Sequence, residues 1–583
     1  MAADRIIQIC NITGLIMRQF SKFGILLLTM LVGACASPYD IKRGAYSDYV
    51  AGQHAKYERD TQKAADYYEN ALKLDPDNEF ILQEAFSLAL MDGDFKYALK
   101  SAEDLQQIGA KNSSASMLLS LNALKKGRLD DAERYLLGAE GSGFDSLVAP
   151  IVRAWVLAQK DMVDEAILEL EVLKTVPMFE PYQKDQAALI LDYADRFDEA
   201  EQAYMGILSG QGSVTVHQVI FYGDMLVRSN QKSKAEALYK VYQLQLYNNK
   251  RFQDAVGELE DIKPKDIDSP TAVEALAHAL LRAASEIAQD NTHAPAILYA
   301  RLSSFMAPSR DDTFVLLGNL FLAQHQPEAA LRALEHVSAG SDFYSLARVR
   351  EAYAYNQQDN SEKAFELMEA ILAEHPDDTV VRVSLGDMYI AHDRHGDALK
   401  HYDIAVKSLG QAKPQNWYLL FSRAIAYERL GRWDEAEADF LHALTLNPNE
   451  PQVLNYLGYS WVDRGKNFNQ ARRLIERAVV QRPNDGAIMD SLGWVLYLIG
   501  EYGEAAEKLQ RAVELLPNDP LINDHLGDAY WMVGREIEAR FQWRHALTLE
   551  PEEDLIANIE DKIRLGLTIV QALEGSVDAT NAQ

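Results

Sequence analysis

Alanine recurs in this chain on a step of 34 residues, which leaves room for little besides two short helices joined by a turn. It stands at 64, 98, 132, 166 and 200, and again at 296, 330, 364 and 398. After the longer steps to Ala436 and Ala471, Ala505 and Ala539 restore the period. Gly318, Gly386, Gly458, Gly493 and Gly527 come before these alanines, and Pro308, Pro376, Pro448, Pro483, Pro517 and Pro551 come after them. A small residue lets two helices cross closely, a large one opposite fills the gap, and a proline stops the second helix. Each such unit can bury its apolar face only against its neighbours, so 583 residues can extend as an array instead of splitting into globular domains.

Residues 490–517, DSLGWVLYLIGEYGEAAEKLQRAVELLP, show the unit most fully. Leu492 and Gly493 are followed by Ala505, Leu509, Ala512 and Pro517. One period on come Leu526, Gly527, Tyr530, Ala539, Trp543, Ala546 and Pro551. This pattern resembles the tetratricopeptide repeat, over roughly residues 45 to 551. The resemblance implies an all-α fold, a superhelical solenoid of roughly 13–15 helix-turn-helix repeats with an irregular joint near the middle.

The expected organisation starts with an N-terminal array over 45–245. There the glycine position reads Phe86, Ser120 and Ala154, and a sixth unit lies near Ala235 and Tyr239. Over 246–292 the period fails. Residues 251–262 read as a helix, 262–270 (IKPKDIDSP) as a Pro/Asp-rich break and 271–289 as one long helix. The stretch is either a joint between two arrays or a degenerate repeat pair. A C-terminal array follows over 293–551, with a longer loop before Trp417. Residues 552–574 read as an amphipathic capping helix and 575–583 as a polar, disordered tail.

The N-terminus reads as a targeting segment. Residues 17–22 (MRQFSK) form a basic region, 24–31 (GILLLTML) an apolar one, and Val32, Gly33 and Ala34 lead into Cys35. This resembles the lipobox of bacterial lipoproteins, which implies cleavage of a 1–34 signal peptide and lipidation of Cys35. An ordinary cleaved signal peptide and a signal anchor starting at Ile6 are the alternatives. The apolar run is too short for an ordinary spanning helix. The apolar segment ahead of Met17 spoils the basic region and suggests Met17 as the true start, which would leave Cys35 as the sole cysteine and exclude a disulfide. Residues 35–44 would then be a short lipidated tether. Ala36, by resemblance to lipoprotein sorting, favours the outer membrane, with the chain facing the periplasm.

Composition narrows the partners. With 87 carboxylates against 57 Lys and Arg, a surface of this charge repels phosphate backbones, so nucleic acid is disfavoured. There is no HExxH, no GxxxxGK[ST], no GxSxG and no cysteine pair for zinc, so neither an enzyme nor a cofactor is expected. His392 and His395, with Asp393 and Asp397 nearby, read as a solvated turn, since no further ligand pattern accompanies them.

In the resembled family, first helices line a groove that holds extended peptides or protein surfaces. Carried onto this chain by register, the groove residues are Asn455 and Tyr459 in one repeat, Asp490, Trp494 and Tyr497 in the next, and Asp524, Asp528 and Trp531 in the last. Six of the seven tryptophans lie after residue 416. Aromatic and acidic side chains in one strip could hold a peptide and a basic side chain, or stack on sugar rings. Trp461 and Trp543 fall at packing positions. The C-terminal half, with LNYLGYSWVDR, DSLGWVLY and DHLGDAYW, is similar to large outer-membrane tetratricopeptide lipoproteins of Gram-negative bacteria. One kind is an adaptor for a periplasmic carboxyl-terminal processing protease. The reading is a non-catalytic, membrane-tethered adaptor for periplasmic or envelope proteins. A scaffold for secretion or polysaccharide-export machinery and a glycan-binding lipoprotein are the alternatives.

Overall fold

A computed structural model describes residues 44–570, except 59, 139–144, 210–213, 244, 247–248, 290–292, 411 and 569. The expected signal region, Cys35 and the tail lie outside the described residues. Within them the chain forms thirty α-helices and no strand, and consecutive helices pack as hairpins.

A sixteen-residue spacing builds each hairpin. A small residue on the first helix meets a large one on the second, as in Gly52 with Tyr68, Gly386 with Tyr402, Gly493 with Leu509 and Gly527 with Trp543. A Cβ on Gly493 would lie 2.5 Å from Leu509 Cγ, and one on Gly527 only 2.4 Å from Trp543 Cδ1. Gly458 meets Ile475, seventeen residues on, because of the extra residue in that turn. At Phe86 the sizes are exchanged, since Ala102 stands sixteen residues later and both are buried. Hairpin boundaries are as regular. Pro483 and Pro517 follow the ends of second helices, and two residues further Asp485 and Asp519 cap the next first helix by accepting from its free backbone N–H groups.

The chain divides into two compact units, 1–364 and 365–583, with the boundary inside the helix Ser361–Glu374. The irregular stretch 246–292 therefore lies within the first unit. It contains Lys250–Glu258, a short 3-10 turn at Pro264–Asp266 and the 18-residue helix Ala272–Gln289.

In the first unit, Ala272–Gln289 and its hairpin partner His293–Met306 turn back onto the first helices of the N-terminal repeats. Arg282 pairs with Asp185 at 2.5 Å, and Tyr182 donates to Glu286 at 2.7 Å. Lys125 donates to the carbonyls of Phe305 and Met306 at 2.7 and 3.0 Å, and Arg301 Nε donates to Met91 O at 2.8 Å. Lys125 and Arg301 thus each satisfy open C-terminal carbonyls of a helix from the other segment, where the helix dipole also favours a cation. The consequence is burial on all sides. Ser113–Lys125 has ten consecutive buried positions, Ala115 to Leu124, as expected of a helix covered on both faces.

The second unit holds five hairpins, from Thr379–Ala391 with His395–Ser408 to Pro520–Met532 with Glu536–Thr548. A last helix, Glu553–Leu565, packs on Glu536–Thr548 and stops at Gly566, which takes φ +85°. Helical backbone resumes at Leu567, Thr568 and Val570, and the remainder of the expected capping helix, 571–574, lies outside the described residues.

Candidate functional site

The five first helices of the second unit are Thr379–Ala391, Trp417–Arg429, Pro451–Asp463, Gly486–Leu498 and Pro520–Met532. They carry side chains in equivalent register along one strip. The second position of each is exposed: Val380, Tyr418, Gln452, Ala487 and Leu521. Val380 is 52% exposed and Tyr418 42%, so this rim is apolar at several points.

Deeper in the strip the expected residues separate into two groups. Asn455 and Tyr459 are half-buried. Asn455 Oδ1 is buried and accepts no hydrogen bond from the protein. Burial, with Asp490 and Asp463 adding to it, raises the Tyr459 phenol above its usual range. These two belong to the open part of the strip.

Further along, the strip is occupied by the chain itself. Asp490 is buried and accepts from His525 Nδ1 at 2.9 Å. Burial opposes the His525 imidazolium, but Asp490, with Asp524 and Asp528 beyond, outweighs it and raises the pKa. Trp494 is half-buried and lies nearly parallel to Tyr497 (4.9 Å, 6°) and to His525 (4.0 Å, 13°). Its π surface is therefore engaged by two neighbours, and buried Tyr497 adds little exposed surface.

Asp524 and Asp528 are 3% and 4% exposed, and both accept from Lys562 of the last helix, at 2.8 and 2.9 Å. Asp528 also accepts from Trp543 Nε1 at 3.0 Å. Burial and the neighbouring Asp524 push the Asp528 carboxyl up to about 7 against the pull of Lys562. Trp531 donates to Thr568 Oγ1 at 3.1 Å and packs against Gly566, with the Arg540 guanidinium 4.8 Å from its ring centre. The acidic strip read from the sequence is thus paired internally in this structure. Sequence reasoning missed Lys562 and His525. The available signal was a lysine three residues after Ile559 on the apolar side of an amphipathic helix.

Trp461 and Trp543 are buried packing residues, each donating its indole N–H to a carboxylate, Glu437 at 2.5 Å and Asp528. His392 Nδ1 lies 2.8 Å from Met388 O, and Asp397 is bound to Arg394 and Lys400. Among the described residues no group of three or more His, Cys, Asp or Glu is arranged to hold a metal ion. Among them, too, no helix is long and apolar enough to cross a membrane.

Comparison with known proteins places the repeats. The tetratricopeptide repeat family model matches residues 315–379, 383–451 and 457–520. A TPR repeat-containing protein of Pseudomonas aeruginosa is 28% identical over 189 residues, which is 32% of this chain and 31% of that protein. The match therefore spans about a third of the length of that relative. Among solved structures, a chain of the APC/C hetero-tetramer Cut9–Hcn1 is 13% identical with a TM-score of 0.41, covering 90% of this chain and 97% of that one. A thermophilic TPR protein of Thermus thermophilus is 24% identical with a TM-score of 0.28, covering 32% of this chain and all of that one. With its helices paired on the period of the alanines and three matched segments between 315 and 520, this chain is an all-α solenoid carrying tetratricopeptide repeats.

Proposed function

We propose that this protein is a non-catalytic adaptor that binds other proteins along the open part of the strip, over 379–463. One observation carries the reading. In the first unit four first helices, Glu79–Asp92, Ser113–Lys125, Asp145–Gln159 and Glu180–Tyr193, are covered by the chain's own residues 272–306, whereas in the second unit Val380, Tyr418 and Gln452 stay exposed beside half-buried Asn455 and Tyr459. The aromatic and aliphatic rim supplies the apolar contact area that dominates such interfaces.

The adaptor is tethered to the outer membrane through a lipid on Cys35 and faces periplasmic or envelope proteins, with delivery of substrates to a protease as its role. This part is supported by the lipobox-like residues 32–35 and by the resemblance of the C-terminal repeats. Sugar stacking is disfavoured, because the rings of Trp494 and Trp531 are already engaged.

The test is affinity capture from detergent-solubilised envelopes with the intact chain beside an Asn455→Ala, Tyr459→Ala double variant. Capture of a protease with its substrates by the first and not by the second is the expected result. Equal capture of one stable assembly by both would make the protein a scaffold instead. Intact mass after release from the membrane reports acylation, and Cys35→Ser abolishes it if the anchor is there.

A further inference from the structure

The last helix meets the final repeat through a site in which one lysine reaches two buried carboxyls. Asp524 and Asp528 lie one turn apart on Pro520–Met532, and both reach Lys562 Nζ. All three side chains are 6% exposed or less. Asp528 has a donor for each oxygen, Trp543 and Lys562, but Asp524 Oδ1 is buried with none. Burying an ion pair in this way gives little net stability compared with apolar packing, so a permanent cap has no need of it. What it does provide is recognition of an ammonium group.

The rest of the segment is lightly attached. Its fully buried apolar contacts are few, chiefly Ile559, Leu567 and Val570. It joins the final repeat through a short link in which Glu550 takes φ +55°. At Gly566 it turns, and a Cβ there would come within 2.6 Å of the Trp531 ring. This turn lets Thr568 accept from the Trp531 indole. Asp524, Asp528 and Trp531 are the positions that the family register assigns to the groove of the last repeat, so by that register the segment sits where a ligand of the repeat would sit.

We propose that residues 553–570 are an exchangeable ligand of the last repeat, bound in cis, and that the site accepts in trans a helical protein segment offering a lysine three residues after a buried aliphatic side chain, as Lys562 follows Ile559. The partner class is thus a lysine-bearing amphipathic helix. The proposal does not depend on what the open strip binds, and it is tested without that partner.

The experiment is hydrogen exchange read by mass spectrometry on the full chain, with and without an isotopically heavy synthetic peptide of residues 551–570. In the protein alone, 553–565 is expected to exchange at least ten-fold faster than 520–548. Excess heavy peptide is expected to raise exchange of the chain's own 553–565 further, and a Lys562→Met peptide to have no effect at ten-fold higher concentration. Exchange of 553–565 and 520–548 together as one unit, with no displacement, would overturn the proposal. Equal displacement by both peptides would overturn it as well, because the lysine would then carry no recognition.

Discussion

One methyl group added at Gly527 would stand 2.4 Å from Trp543 Cδ1, with the indole Nε1 equally near. Trp543 cannot retreat, because it is fully buried and its N–H is held by Asp528. Gly527→Ala is therefore expected to cost about 1–3 kcal/mol as an overpacking change. Urea denaturation of the single variant and of Gly527→Ala with Trp543→Leu checks this, and a smaller combined loss than the sum of the two shows the pair to be coupled. The turn between the helices of a hairpin holds a second residue-scale rule. The left-handed conformation recurs at Gly93, Gly127, Asp161 and Asp195, and again at Gly500 and Gly534. At Gly500 the backbone closes the helix by two bonds, Gly500 N to Tyr497 O and Glu501 N to Leu496 O. Gly500→Ala should lose about 1 kcal/mol for placing a Cβ in that conformation, while Asp161→Gly should be neutral or slightly stabilising. The same urea midpoints decide both. The helix-packing period was legible in the alanines and glycines. The turn period was hidden because Gly, Asp and Asn all satisfy it, so no single letter repeats.

Between elements, the decisive contacts in the first unit join residues far apart in sequence. Phe95 meets Phe305 at 5.2 Å, and Arg332 donates to Asp92 at 2.6 Å. No period connects these positions, so the fold-back of 272–306 could not be read from spacing, although the long helix over 271–289 could. The acidic strip shows a related limit. Its register follows from the repeat, but which face the last helix presents to it, and hence Lys562, depends on the turn that enters that helix. One inter-element contact is sensitive to acid. His217 on Val216–Arg228 and His278 on Ala272–Gln289 lie 4.8 Å apart, with Arg310 3.3 Å from His217. Burial, aided by Arg310 and Arg251, brings His217 down to about 3. Burial, then His217, Arg310 and Arg282, hold His278 well below its ordinary value, with only Asp312 opposing. Both imidazoles are thus neutral in the folded chain. The unfolded chain binds more protons below about pH 6.5, so stability is complete above that pH and is lost as pH falls from about 6.5 toward 3. Between about pH 7 and 5 the two histidines act against the buried carboxyls of Asp192 and Asp224, raised to about 6, and of Glu351 and Asp528, raised to about 7, which bind protons first in the folded chain. Acidification from about pH 7 to 5 should therefore cost His278→Leu less stability than it costs the parent chain, and an equal cost would place the acid sensitivity elsewhere.

For the whole molecule, the question is why one chain carries so many repeats yet leaves so few of them open. In the first unit, the surface that the four first helices between Glu79 and Tyr193 would offer to a ligand is spent on the chain's own residues 272–306. That burial turns a row of hairpins, each touching only its neighbours, into a closed core extending from Leu82 to Ala354. In the second unit the strip stays open at its start, and its end is held by Lys562. Binding capacity should therefore be concentrated at 379–463. A photo-reactive benzoylphenylalanine placed at Tyr418 or at Val380 samples that surface, since both side chains are exposed and neither is packed in a hairpin core. The same group at Met205, which is 55% exposed on a second helix of the first unit, samples a surface of similar accessibility outside the strip. Crosslinking in envelope preparations should yield one shared adduct from 380 and 418 and none of that mass from 205. An adduct of equal yield from 205 would mean that the outer surface of the first unit, and not the open strip of the second, carries the partner.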